Sequence, residues 1–286
     1  KNDEMITLAK FLAISGIILP MLPHKNLIPD INLTPYSIWL ATVVVSGISY
    51  LSYLLKRYVF HESGVLVSGI IGGLYSSTAT ISVLARKSRK ASAQEANEYV
   101  AAMLLAVSMM FLRFMILILI FSREIFMSIY PYLLIMSVVA AVVAWFIHSR
   151  QRRSKDLPAD SEEEDSSNPL EFKVALIFAT LFVIFTVLTH YTLVYAGTGG
   201  LNLLSFVSGL SDITPFILNL LQNTGSVAVL VVVACSMQAI ISNILVNMFY
   251  ALFFAGKGSK LRPWILGGFG TVIGVNLVLL LFFYFI

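Results

Sequence analysis

The sequence predicts an all-α integral membrane protein that crosses the bilayer several times. Of its 286 residues, 58% are hydrophobic and only 12% are charged, whereas a soluble domain carries about 25% charged residues. Long apolar runs recur along the chain, each close to the roughly 20 residues that a helix needs to cross a bilayer. This composition disfavours a soluble enzyme, a disordered chain and a nucleic-acid-binding protein.

Nine stretches have the length and composition of membrane-spanning helices, and we number them as predicted spans 1 to 9. They cover residues 5–22, 37–55, 64–85, 100–121, 128–147, 172–196, 201–221, 226–254 and 263–286. The first residue is Lys1, and no signal-peptide pattern follows it, so we expect the sequence to begin inside a longer protein.

Four parts follow from these spans and the polar segments between them. Residues 1–36 hold the first span and a loop, and residues 37–147 hold spans 2–5. Residues 148–171 form a charged segment typical of a solvated linker, and residues 172–286 hold spans 6–9. The basic clusters at 86–90 and 150–155 share one side, which we assign to the cytoplasm. In this scheme Lys56, Arg57, Lys257, Lys260 and Arg262 fall on the other side.

The two groups of four spans resemble each other weakly. A shift of 136 positions places Gly73 on Gly209 and Ser76 on Asp212, in two apolar segments that small and hydroxyl residues interrupt near the middle. We therefore expect an internal repeat of four-helix units, and an even number of spans predicts parallel units. The alternative is that segments rich in glycine and serine are simply common at helix contacts.

Two ionisable residues lie deep within predicted spans, where an unpaired charge is costly. Asp212 lies near the middle of span 7, and Arg113 lies within span 4. Two interpretations stay open. Either the two residues form a structural ion pair, or Asp212 lines a polar cavity that binds a cation or takes a proton.

The segments around Asp212 and its counterpart in span 3 form the candidate binding site. Its ligand or ion-binding residues are Ser76, Ser77, Thr78, Thr80, Asp212 and Thr214, with Arg113 as a modulating charge. We expect helix breaks at Gly72, Gly73, Gly209 and Pro215, because proline and glycine weaken a helix interior. The alternative is that the hydroxyl groups bond only to their own helix backbone. A second polar lining is expected from Gln238, Ser242, Asn243 and Asn247.

Enzymatic sites find little support in the sequence. A membrane aspartyl protease needs two carboxylates, and only Asp212 lies within a span away from its ends. The four histidines are scattered at span ends, so a histidine zinc site is disfavoured. We expect no enzyme activity and no cofactor, while a metal site stays open.

Several motifs in order along nearly the whole chain carry a resemblance to a known family. Among them are Gly69-Ile70-Ile71-Gly72-Gly73-Leu74-Tyr75-Ser76-Ser77-Thr78-Ala79-Thr80, Phe111-Leu112-Arg113, and Val207-Ser208-Gly209-Leu210-Ser211-Asp212. The chain resembles the C-terminal membrane domain of MgtC/SapB-family proteins, the domain of unknown function 4010 family. The resemblance implies a multi-pass protein of the cell inner (plasma) membrane in a bacterium or archaeon. Thr214-Pro215 stands where the family usually has a second Asp, which puts a two-carboxylate metal site in doubt.

These observations favour a membrane transporter or channel for a small ion or solute, with a cation or proton preferred. The alternative is a non-transporting scaffold or regulatory subunit, for which the acidic residues 156–165 offer a docking segment. The expected partners are the lipid bilayer, a small ion or solute and no nucleic acid. A homo-oligomer or an N-terminal MgtC-like domain is a further expected partner.

Overall fold

A computed structural model describes residues 11, 13, 15–55, 58, 64–89, 96–150, 172–222, 227–256, 259 and 261–285. Within them the chain forms eight named helices: α1 (Pro35–Leu54), α2 (Val65–Lys87), α3 (Ala96–Phe121), α4 (Arg123–Ser149), α5 (Phe172–Ser208), α6 (Ile213–Gln222), α7 (Val229–Ala255) and α8 (Arg262–Phe285). In this described part, every named helix except α6 is long and apolar enough to cross a membrane. The predicted all-α, multi-pass membrane fold is confirmed.

Helices α3 and α7 form the centre of the bundle. In the most apolar stretch of each long helix, half of the residues of α3 and 67% of those of α7 are buried. The corresponding share is 28–39% in the other long helices. Helix α3 packs mainly against α2 and α4, and α7 packs against α2, α5 and α8. Large apolar side chains such as Trp145, Leu203 and Val278 are exposed on the outside, as expected of a surface that faces lipid.

Helix α2 folds back on itself at Ser76. This residue has φ −158° and ψ 108°, which are extended rather than helical values. A Cβ atom on Gly72 would collide with the side chain of Thr80, although positions eight apart in a straight helix are separated by about 12 Å. Residues 65–75 and 77–87 are therefore the two arms of a helical hairpin, which we call hairpin 1.

The first arm of hairpin 1 runs parallel to the start of α3. Gly69 lies against the backbone of Ala102, and Gly73 lies against the backbone of Ala106. From the first contact to the second, the residue number rises by four in each segment, so the two segments run in the same direction. Hairpin 1 therefore begins at the end of the bundle where α3 begins.

The second arm of hairpin 1 returns to that same end. Arg89, just beyond α2, donates hydrogen bonds to the carbonyl oxygens of Phe253 and Phe254, near the C-terminus of α7. The guanidinium of Arg86 lies 4.3 Å from the ring centroid of Phe254. We call this end of the bundle the Arg89 end. Hairpin 1 enters and leaves the bundle there without crossing it.

A second hairpin follows a sharp bend in α5. Gly197 has φ 59° and ψ −153°, a backbone conformation that favours glycine. Residues 198–208 continue as helix, residues 209–212 are not helical, and α6 then resumes the helix. We call residues 198–222 hairpin 2.

Hairpin 2 begins and ends at the opposite end of the bundle. Ser205 donates a 2.7 Å hydrogen bond to Gln238, and Gly209 packs against Ser242. The first arm therefore runs parallel to the start of α7. At the end of α6, Gln222 Nε2 donates to the carbonyl oxygen of Ser37, near the start of α1, at 3.3 Å. We call this end the Gln222 end.

The two ends are separated by the full length of α7. This helix begins at Val229, shortly after Gln222, and reaches the Arg89 contact at Phe254 about 25 residues later, a rise of about 37 Å. The hairpins therefore enter from opposite ends, and their tips, at Ser76 and at residues 209–212, meet inside the bundle.

Two expectations about the topology need correction. Predicted spans 3 and 7 do not cross the bundle, because tertiary contacts fold them back as hairpins 1 and 2. The described parts of residues 37–147 and 172–286 thus each contain three crossings and one hairpin, an odd number of crossings, so the prediction of parallel units is wrong. Spans 2, 4, 5, 6, 8 and 9 correspond to α1, α3, α4, the first part of α5, α7 and α8. Residues 151–171 of the linker and part of span 1 lie outside the described residues.

The placement of basic residues changes with this topology. Helix α8 starts at the Arg89 end, because a Cβ on Gly268 would contact Leu104 and Ile147, which lie toward that end of α3 and α4. Arg262 therefore shares one side with Arg86 and Arg89, and not the opposite side as the sequence predicted.

Candidate functional site

A cavity of about 410 Å³ lies where the two hairpin tips meet. Helices α1, α3, α5 and α7 complete its wall. The polar part of this wall includes seven of the predicted site residues: Ser76, Ser77, Thr78, Arg113, Asp212, Thr214 and Asn243. The structure thus brings residues that are far apart in the sequence into one chamber.

Four other predicted residues stand outside the cavity wall and support its parts. Thr80 packs against Gly72 within hairpin 1, and Ser242 packs against Gly209 of hairpin 2. Gln238 accepts a hydrogen bond from Ser205 of hairpin 2, a contact between helices that amides often make in membranes. Asn247 donates a hydrogen bond to Asn243, one turn earlier on the same helix α7.

Both hairpins open a helix N-terminus toward the cavity. Ser76 Oγ accepts a hydrogen bond from the backbone amide of Ala79 at 3.3 Å. Asp212 Oδ1 accepts one from the amide of Thr214 at 2.9 Å. Each residue thus acts as the N-cap of the returning arm. The partial positive charge of both helix N-termini is directed toward the middle of the bundle.

The carbonyl ends of the entering arms are capped from the central helices. Arg113 Nη1 donates a 2.8 Å hydrogen bond to the carbonyl oxygen of Tyr75. Asn243 Nδ2 donates to the carbonyl oxygens of Gly209 and Ser211, both at 3.4 Å. These bonds satisfy backbone oxygens that the breaks in the helices leave free.

Arg113 and Asp212 face the same cavity, and their hydrogen bonds go to other groups. Arg113 bonds to Tyr75, and Asp212 bonds to the backbone of its own helix. The Asp212 residue is exposed, within a wall that also contains Arg113. This geometry favours the cavity interpretation over a dry structural pair.

The predicted helix-break residues have different roles from those expected. Gly73 and Gly209 lie at close contacts, where a Cβ atom would meet a neighbouring helix. Pro215 is the third residue of α6, where its missing N–H has no intrahelical partner in any case. It starts a helix and does not break one.

Several wall residues were not among the predicted site residues. Ser46 and Ser49 come from α1, and Tyr250 comes from α7. The two serines are three positions apart, a spacing that places them on one helix face. This polar face on an apolar helix was the sequence feature that could have identified them. Phe114, Phe178 and other apolar side chains form the rest of the wall. Within the described residues, no three His, Cys, Asp or Glu side chains come together as a metal site.

Comparison with known proteins identifies the family of the chain. No solved structure matches it. An uncharacterized protein of Aquifex aeolicus (strain VF5) is 26% identical over 220 residues, which cover 76% of this chain and 94% of that protein. The family described as "Domain of unknown function (DUF4010)" matches residues 43–255, including both hairpins and the cavity between them. The chain therefore belongs to the DUF4010 family.

Proposed function

We propose that the protein is a transporter of a small ion or solute in the cell inner membrane, with its binding site in the cavity between the hairpin tips. One observation carries this proposal: two hairpins from opposite ends of an apolar bundle meet at a polar cavity that contains Arg113 and Asp212. Interrupted helices that meet near the bilayer midplane are the usual construction of transporter binding sites.

The two halves of the bundle support a transporter with inverted repeats. The contact of Gly73 with Ala106 recurs 136 positions later as Gly209 with Ser242. The same shift carries α3 from 96–121 to 232–257, close to α7, and carries the N-cap at Ser76 onto Asp212. We infer a duplication whose copies have opposite orientations, an arrangement that lets a fixed site open alternately to either side.

The charge distribution supports one orientation in the membrane. Arg86, Lys87, Arg89, Arg150 and Arg262 lie at the Arg89 end, and Arg123 begins α4 at the other end. The positive-inside rule then makes the Arg89 end cytoplasmic. The sequence alone put Arg262 on the side opposite to Arg86 and Arg89; in the structure all three lie at the Arg89 end, so this disagreement with the rule is removed.

Flux measurements on the reconstituted full chain test the proposal. Proteoliposomes would be assayed for uptake of labelled sodium, rubidium, chloride and L-leucine, and for proton flux with a pH dye. We expect at least one flux that Asp212→Asn lowers by about tenfold, because a charged hydrogen bond contributes about 1.5–3 kcal/mol. Ser77→Ala, which removes a neutral hydroxyl from the wall, should lower it by about fivefold.

A folded protein without any of these fluxes, or with fluxes that both substitutions leave unchanged, would contradict the proposed site. Such a result favours the scaffold alternative. Arg123→Gln, at an exposed position outside the cavity, is the control and should keep the flux of the unmodified protein.

A further inference from the structure

The two sides of the cavity carry opposite charges, and this asymmetry points to the chemistry of the cargo. The inference rests on the proposed transport function and concerns the same site. The hairpins correspond in geometry, yet the N-cap is the neutral Ser76 in hairpin 1 and the acidic Asp212 in hairpin 2. The charge pattern therefore does not follow from the shared geometry.

The hairpin 1 side is positive. Arg113 holds the Tyr75 carbonyl with Nη1 and lines the cavity, and its buried Nε has no hydrogen-bond partner. The N-terminus of arm 77–87, capped by a neutral serine, adds a partial positive charge beside it. A guanidinium next to a helix N-terminus suits a carboxylate, which the guanidinium can bind with two parallel hydrogen bonds.

The hairpin 2 side is negative. Asp212 uses Oδ1 to cap α6, and its side chain remains accessible from the cavity. Thr214 and Asn243 also line the cavity, and the Asn243 amide bonds to the carbonyl oxygen of Ser211, next to Asp212. A carboxylate surrounded by neutral polar groups suits an ammonium group, which donates hydrogen bonds and carries the opposite charge.

Neither a simple cation nor a simple anion matches the whole cavity. A cation at Asp212 shares the chamber with Arg113, and an anion at Arg113 shares it with Asp212. The volume of about 410 Å³ lies in the range of pockets for organic ligands and exceeds what one bare ion fills. The remaining wall is apolar and includes Phe114, Phe178 and Leu181.

We propose that the cavity binds a zwitterionic solute with an apolar body, such as an apolar α-amino acid. Its carboxylate lies against Arg113 and the N-terminus of arm 77–87, and its ammonium group lies against Asp212. The apolar body packs on the aromatic and aliphatic wall.

A matched series of three solutes tests this proposal in proteoliposomes that contain the full chain. L-leucine carries both charged groups, isocaproate lacks the ammonium group, and isoamylamine lacks the carboxylate. We expect leucine uptake to exceed that of either analogue by about tenfold or more, because each analogue leaves one charged group of the site without its partner. Asp212→Asn and Arg113→Gln should each lower leucine uptake by about tenfold or more.

Matched controls separate a loss of charge recognition from a loss of folding. Arg123→Gln and Glu124→Gln remove charges at exposed positions at the start of α4, and leucine uptake should stay within about twofold. Asp212→Glu and Arg113→Lys keep the charges and should retain more uptake than the neutral variants. A melting-temperature increase of the unmodified protein in detergent with L-leucine, absent with isocaproate and isoamylamine, provides a readout that needs no variant.

Isocaproate or isoamylamine uptake equal to that of leucine overturns the zwitterion proposal. A folded Asp212→Asn variant with full leucine uptake overturns it as well. If leucine is not taken up while sodium, rubidium or chloride flux depends on Asp212, this proposal fails and the transport function stands. If none of these fluxes is present, both fail.

Discussion

The two hairpins share a geometry and differ in chemistry. Each enters from one end of the bundle, breaks at its tip and begins a new helix with a side-chain N-cap facing the cavity. In hairpin 1 a single extended residue makes the break, and an arginine caps the entering arm. In hairpin 2 four residues make the break, and an asparagine caps it. The hairpin geometry is thus built twice, whereas the charges that define the site occur once each.

The two hairpins also differ in how they pack against the central helices. Hairpin 1 rests on backbone contacts, because Gly69 and Gly73 lie directly on the backbone of α3. Hairpin 2 combines side-chain and backbone contacts: Ser205 forms a hydrogen bond with Gln238, and Gly209 lies against the Ser242 side chain and the Ala239 carbonyl oxygen. Hairpin 1 therefore has less room for adjustment against its central helix than hairpin 2.

The largest expected effect is an all-or-none labelling result that tests the opposite entry of the hairpins. Single cysteines at Ser149, Ser259 and Asn26 would be probed with a membrane-impermeant maleimide in whole cells and in broken cells. If neither hairpin crosses, three crossings separate position 26 from position 149 and two separate position 149 from position 259. Positions 149 and 259 then share the cytoplasmic side, and position 26 lies outside. The native Cys235 is buried and gives little background.

A hairpin that crossed the membrane would change the result for one pair of positions. If span 3 crossed, positions 26 and 149 would lie on the same side, and if span 7 crossed, positions 149 and 259 would lie on different sides. Equal labelling of positions 26 and 149 would therefore rule out hairpin 1, and labelling of position 259 in whole cells with protection of position 149 would rule out hairpin 2.

The breaks were predictable from the sequence, and the direction of the chain after them was not. Small and hydroxyl residues around Ser76 and an aspartate at 212 stand out in apolar runs, because such residues are costly or destabilising there. The 23 residues of α2 are also long enough to cross a bilayer, so length alone favours a span. The fold-back depends on contacts between distant segments, such as Gly69 with Ala102, which no local pattern reveals.

The sequence identified the charged residues of the site but not their arrangement. Asp212 and Arg113 were identifiable because ionisable groups within spans are rare and costly. Their division between two sides of one cavity depends on the hairpins that present them. The role of Pro215 was misread, because a proline in the first turn of a helix and a proline in its interior look alike until the start of the helix is known.

An intermediate effect tests the difference in packing between the hairpins. In Gly73→Ala the new Cβ would lie 2.5 Å from the Ala106 Cα and 2.6 Å from its carbonyl oxygen. We expect a loss of about 3 kcal/mol in the free energy of unfolding, because a backbone cannot move aside as a side chain can. The loss would be measured by denaturation in detergent. Gly47→Ala, with no atom within 4 Å of the new Cβ, is the control and should change little.

The corresponding substitution in hairpin 2 sharpens this comparison. In Gly209→Ala the new Cβ would meet the Ser242 side chain and the Ala239 carbonyl oxygen. Adding Ser242→Gly removes one of these obstacles and should recover part of the lost stability. Hairpin 1 has no side chain whose removal would do the same, so equal rescue of Gly73→Ala by Ala106→Gly would contradict the difference that we describe.

The smallest expected effect on stability separates the two roles of Asp212. Asparagine is about as good an N-cap as aspartate, so Asp212→Asn should change the free energy of unfolding by less than about 0.5 kcal/mol. Asp212→Ala and Ser76→Ala each remove a cap and should cost about 1 kcal/mol. The same denaturation assay measures all three variants. If Asp212 serves only as a cap, Asp212→Asn keeps both stability and flux. If its charge binds the cargo, flux falls while stability stays, a combination that Ser76→Ala cannot produce, because that variant removes a cap without removing a charge.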